Sequence, residues 1–244
     1  MHILIIAILL GIFTFINILA PVSGSATVTP VLTGLIGAKD AVAVATIFFL
    51  LTCIPRVYLF RKYIQWHIVK QLWPISIIGA LCGGFLFSGV SEVVISLVIL
   101  GFLTFFLYQK AIASFGKGTL EKKPTRHGVL FVGFLSGSLQ GTGLAGSDLR
   151  NGYLLSKGLS IAEIHGTTAL IGGSNFLFAS LVRINSGDLT FRMAAPILAL
   201  FPVIVLATYI GRHATLKMPK TWQNRVALGI MVFAMVMILK DLLT

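Results

Sequence analysis

Eight apolar runs, at residues 3–20, 41–60, 71–90, 92–109, 127–139, 161–182, 193–211 and 225–240, fill most of this chain and leave short connections between them. Each is long enough for a helix, and a bilayer core of about 30 Å takes about 20 apolar residues per helical crossing. Composition points the same way: 57% of the 244 residues are hydrophobic and 11% charged, against about 45–50% and about 25% in soluble domains. The mean hydropathy is +0.97. The expected fold is an all-α integral membrane protein of about eight transmembrane helices, with no room for a domain outside the bilayer.

Nineteen Lys and Arg stand against seven Asp and Glu, a formal charge of +12. In a soluble protein that excess would suggest nucleic acid. Here the cations cluster between apolar runs, as Arg61, Lys62 and Lys70 do, or Lys117, Lys122, Lys123 and Arg126. That is how cytoplasmic loops orient a membrane protein, so the expected partner is the lipid bilayer and not nucleic acid. Cys53 and Cys82 lie inside apolar runs without partners at metal-ligand spacing and read as small core residues. No metal or cofactor is expected. Residues 3–20, followed by the small Ser23-Gly24-Ser25-Ala26, look like a signal peptide. No Lys or Arg precedes the run, however, and the stretch reads as retained structure.

Two interruptions organise the chain. Pro21-Val-Ser-Gly-Ser-Ala-Thr-Val-Thr-Pro30 and Gln140-Gly-Thr-Gly-Leu-Ala-Gly-Ser-Asp148 carry too much Gly and Pro to continue a helix. About ten residues separate the second from Lys157-Gly158, roughly 15 Å of helix, too short to cross, so a re-entrant hairpin of two half-helices is expected. A shift of 121 positions superposes Gly37 on Gly158, Ala41 on Ala162 and Thr46 on Thr167. Both halves share one order: apolar helix, small-residue break, short apolar segment, three longer helices. The reading is therefore an N-terminal repeat at 1–113, a cytoplasmic linker at 114–126 and a C-terminal repeat at 127–244.

A hairpin followed by three crossings gives each half an odd number of crossings, which inverts one half relative to the other. With the linker inside, inverted halves place 13 Lys and Arg inside and four outside, whereas parallel halves give 11 and six. The positive-inside rule favours inversion, in the cell (inner) membrane, with both termini outside.

Broken segments at corresponding positions point to a transport site. Their glycines, Gly24, Gly141 and Gly143, let backbone N–H groups approach a ligand, and half-helix N-termini carry about +0.5 charge, which favours anions. Ser23, Ser25, Thr27, Thr142 and Ser147 add hydroxyls. Close helix packing is the other use of such small residues. At about 100° per residue, His165, Thr168, Gly172, Asn175, Ala179 and Arg183 share one helix face, and Thr46, Cys53 and Arg56 another. Both stripes should face the protein interior, although Thr and Asn also serve as hydrogen-bond links between helices. Arg56 and Arg150 are candidates to neutralise an anion; Arg56 could equally reach out to the interface, and Asp148 could pair with Arg150. His165, Glu163 and Asp148 are candidate proton carriers for coupled transport.

Signatures of enzymes are missing: no His-Glu-x-x-His, Gly-x-Ser-x-Gly, Walker lysine or paired carboxylates. Ser136 or Ser138 with His165 would be the only route to an intramembrane hydrolase. A glycine-lined anion channel is the other alternative to a carrier.

The run Gly133-Phe-Leu-Ser-Gly-Ser-Leu-Gln-Gly-Thr-Gly143 resembles the second-repeat glycine motif of the TauE/SafE sulfite-exporter family of membrane transporters. Ala41-Val-Ala-Val-Ala-Thr46, and Arg61-Lys-Tyr-Ile-Gln-Trp66 leading into Pro74 and Gly79, resemble its first-repeat pattern. The resemblance implies a secondary transporter of small anions, often sulfur-containing ones such as sulfite, sulfoacetate or thiosulfate, working without ATP. By position it places the broken segments on Gly24 to Pro30 and Gly141 to Ser147, and the family's Ala-Thr position on Thr46 and Thr167. A coupling ion such as a proton and a homo-oligomeric assembly are compatible with it. The chain departs from the family in its first break, where successive glycines give way to Pro-Val-Ser-Gly-Ser-Ala, and in lacking a Val-Pro after each break.

Overall fold

The structure, a computed structural model, describes residues 10–15, 18, 25–89, 126–143, 146–156 and 159–215, with isolated positions between 91 and 104. Every regular element among them is helical: α1 (Ser25–Ile36), α2 (Ala38–Phe60) with a 3-10 turn at Arg61–Tyr63, α3 (Trp66–Ser88), α4 (Arg126–Gly141), α5 (Gly146–Ser156), α6 (Ile161–Ser186), α7 (Phe191–Ala199) and α8 (Phe201–Thr215). Three helical stretches are long and apolar enough to cross a membrane, at Ala38–Tyr63, Trp66–Leu86 and Ile161–Ser186. The runs at 92–109 and 225–240 and the linker before Arg126 lie outside the described residues or are described only at isolated positions.

The run at 193–211, read from sequence as one span, is bent by 46° between α7 and α8. Pro202, the second residue of α8, has no N–H to donate back into the preceding turn, so the helix breaks at Leu200. The second interruption is present: Gly143, with φ 77°, separates α4 from α5 in a left-handed backbone that favours glycine. The first, expected at residues 21–30, is corrected: α1 is helical from Ser25 through Pro30 to Ile36, residues 21–24 lie outside the described residues, and the described backbone turns instead at Gly37, with φ 81°, between α1 and α2. Helices α1, of 12 residues, and α5, of 11, are too short for a crossing at about 1.5 Å per residue. Helix α1 touches the second break: Thr29 Oγ1 donates to Gly143 O across 2.9 Å.

Helices α2 and α6 form the centre. The sequence stripes face inward as expected, for Thr46, Cys53, His165, Thr168, Gly172, Asn175, Ala179 and Arg183 are all buried, while Leu177, Leu181 and Ile184 on the other side of α6 are exposed. Phe49 stacks on Phe176 at 5.2 Å between ring centroids. The end of α2 meets the start of α6, where Gln65 N–H donates to Thr167 Oγ1 (3.0 Å) and Gln65 Nε2 to Glu163. The two central helices therefore run antiparallel. Helix α4 lies on α3 almost backbone to backbone: a Cβ at Gly79, Gly83, Gly137 or Gly141 would overlap a carbonyl oxygen of the facing helix. Cys82 corrects its sequence reading; it is exposed on α3 instead of lying in the core.

Candidate functional site

A cavity of ≈ 30 Å³, large enough to admit water, lies where α2, α4, α5 and α6 converge. It is lined by Phe49, Thr52, Cys53 and Arg56 from α2, Gln140 from α4, Ser147, Arg150 and Asn151 from α5, and His165, Thr168, Ala169, Gly172 and Phe176 from α6. Two cations face it and no carboxylate does among the described residues. Arg150 is fully buried. Its Nη1 donates to Gln140 Oε1 at 3.2 Å and its Nη2 to Thr168 O at 3.3 Å. Arg56 is half-buried, one turn before the end of α2, and its buried Nε and Nη2 have no hydrogen-bond partner among the described residues.

Gln140 links the site to its surroundings. Its Oε1 accepts from Arg150 and also from Asn175 Nδ2 (2.6 Å), which in turn bonds Ser76 Oγ (2.6 Å). Because a guanidinium can only donate, the atom facing Arg150 must be the amide oxygen. The NH2 group is then buried without a partner among the described residues, on the cavity side. Gly172 makes the room: a Cβ there would stand 3.2 Å from Arg150 Nη2 and 3.3 Å from Gln140 Nε2. The hydroxyls of Thr52 and Thr168 donate to Phe49 O and Ile164 O in their own helices, so the two guanidiniums and the Gln140 amide, with Ser147 and Asn151 beside them, are the donor groups on the cavity wall. Ser147 stands in the first turn of α5, so the positive end of a half-helix also borders the space.

Of the residues singled out from sequence, the structure gathers Arg56, Ser147, Arg150, His165 and Thr168 on this cavity. Four others stand in the packing around it. Thr46 donates to Val42 O and Thr142 to Leu139 O, Thr167 accepts from Gln65, and Asn175 braces Gln140 against Ser76. Gly141 and Gly143 serve close approach, their Cβ positions being filled by Ala80 O and Val42 Cγ1. Gly141 O accepts from buried Arg183 (2.7 Å), a cation at the carbonyl end of α4. His165 Nε2 lies 3.1 Å from Ile18 O, with its ring against Phe60. Glu163 sits in a capping box with Ser160 that starts α6. Ser23 and Gly24 lie outside the described residues, as do the side chains of Ser25, Thr27 and Asp148. Sequence reasoning missed Gln140 and Asn151, and assigned Cys53 to packing although it faces the cavity.

The serine–histidine alternative finds no geometry. Ser136 donates to Gly133 O and Ser138 to Phe134 O, and His165 Nε2 is on Ile18 O, so neither of these two hydroxyls is paired with the imidazole.

A cationic cavity beside the broken pair α4 and α5 and between the central helices α2 and α6 suits a small anion held inside a membrane protein. The family model described as Sulfite exporter TauE/SafE matches residues 4–238. No curated protein and no solved structure matches the chain. With nearly its whole length covered, the chain belongs to the sulfite exporter TauE/SafE family of multi-pass membrane transporters, which are not enzymes.

Proposed function

We propose that this transporter is a secondary permease for a small sulfur oxyanion or organosulfonate, such as sulfite, sulfoacetate or thiosulfate, held between α2, α5 and α6. The observation that carries the reading is the pair Arg56 and Arg150 on one cavity that no described carboxylate lines. The buried Nε and Nη2 of Arg56 have no partner among the described residues; a buried charge without compensation costs several kcal/mol, and an anion beside that guanidinium would offset the cost. Guanidinium forks also match the paired oxygens of sulfite or sulfonate better than a point charge would. Family membership supports the sulfur class of cargo. His165, on the same cavity, is the group we assign to carrying a coupled proton.

Flux of sulfite and sulfoacetate in proteoliposomes tests the proposal. Truncating one partner of a buried charged contact costs about 2–5 kcal/mol, so Arg150→Ala should lower flux at sub-saturating substrate at least about tenfold, with Arg150→Lys intermediate. Unchanged flux in Arg150→Ala would overturn the assignment. Saturable exchange accelerated by cargo on the opposite side is expected of a carrier, and unitary currents would replace it with the channel.

A further inference from the structure

We infer that the groove where the ends of α2 and α8 meet holds the phosphodiester of an anionic phospholipid. The groove, of ≈ 320 Å³, is lined by Tyr58, Leu59, Arg61, Lys62, Tyr63 and Arg212. It combines three cations with two tyrosines, and no carboxylate lines it among the described residues. Tyr58 and Tyr63 are 66% and 44% exposed, and they stand at the end of the membrane-length stretch Ala38–Tyr63. Tyrosine is favoured at that depth, where its ring meets the acyl boundary and its hydroxyl the headgroups.

Two of the cations are already in place. The Arg61 guanidinium carbon lies 4.9 Å from the centroid of the Tyr58 ring, and that of Arg212 lies 5.8 Å from the Phe60 ring. Cation–π contact holds each fork near its working position, which reduces the ordering cost of binding. Phosphate oxygens accept from such forks in pairs. One turn deeper, Ile54 on the face of Tyr58 is 51% exposed and Tyr209, three residues before Arg212, is 52% exposed. Acyl chains from a headgroup seated in the groove would run along this apolar surface. A soluble phosphate would leave that surface unused, which is why a lipid is the better occupant.

The test is retention of phosphatidylglycerol against phosphatidylcholine by the full chain, reconstituted with equal amounts of both and read by native mass spectrometry. Wild type should keep an excess of the anionic lipid. Replacing Arg61, Lys62 and Arg212 with Ala should remove that excess, roughly fivefold per cation. Replacing Lys39, Lys70 and Arg192, exposed cations elsewhere, should leave it intact. The single variants Arg61→Ala and Arg212→Ala provide the same reading in smaller steps if the triple variant does not fold. Undiminished retention in the groove variants, equal loss in the control, or displacement by glycerol 3-phosphate alone would each overturn the inference.

Discussion

Gln140 shows how one side chain can be oriented by its neighbours' chemistry. Arg150 and Asn175 both present donors to Oε1, which turns the amide NH2 toward the cavity. Changing Gln140 to Glu keeps an acceptor for both neighbours but replaces the cavity donor with negative charge beside Arg150. An internal carboxylate would then stand in for the cargo. The expected result is a loss of about 1–3 kcal/mol of anion binding, read as a half-saturation concentration raised roughly 5- to 150-fold, with the melting temperature in detergent little changed. An unaltered half-saturation would show that the amide does not meet the anion. Sequence alone could rank residues only along one helix, which is why Arg56 and the stripe from His165 to Arg183 were visible and Gln140 was not. Its meaning depends on partners 10 and 35 positions away. Glu163 illustrates the reverse: Ser160-Ile-Ala-Glu163 ahead of an apolar run is a capping-box pattern, and reading it as such would have pointed to the helix start instead of a proton path.

Between helices, the same glycines that suggested a ligand-binding backbone do different work according to what faces them. Gly137 of α4 lies against Ser76 of α3 so closely that a Cβ would overlap the Ser76 carbonyl oxygen, whereas a Cβ at Gly152 of α5 meets nothing within 4 Å. Gly137→Ala should therefore force α3 and α4 apart and cost about 1–3 kcal/mol, lowering the melting temperature in detergent. Gly152→Ala should be neutral or stabilising by up to about 1 kcal/mol, since Ala is the better helix former. Equal shifts in the two variants would contradict the close approach. The second break was legible because glycine density marks it directly, whereas the density of Gly, Ser and Pro at 21–30 misled, since the chain is already helical from Ser25. The bend at Leu200 was legible in Pro202 but masked by the unbroken apolar character of residues 193–211.

Across the whole molecule, the proposed repeat can be laid over the helices by the shift of 121 positions. It carries Ser25–Ile36 onto 146–157 and Ala38–Phe60 onto 159–181, close to α5 and α6. Helices α2 and α6 are antiparallel, as the contacts of Gln65 with Thr167 and Glu163 require. Arg212, at the end of α8, shares a groove with Arg61 and Lys62 at the end of α2. Parallel halves would put Arg212 on the opposite side of the bilayer from Arg61, and would start α6 on the side where α2 starts. We propose on this ground that the halves are inverted, the arrangement that the distribution of Lys and Arg also leads us to expect. Inversion requires an odd number of crossings in each half, so the chain should return to the outer face. Alkaline phosphatase fused after Thr244 should be active in cells and a fluorescent protein there dark, whereas phosphatase inserted after Gly118 should be inactive. A cytoplasmic Thr244 together with a cytoplasmic Gly118 would require an even number of crossings in the second half and would rule the inverted arrangement out.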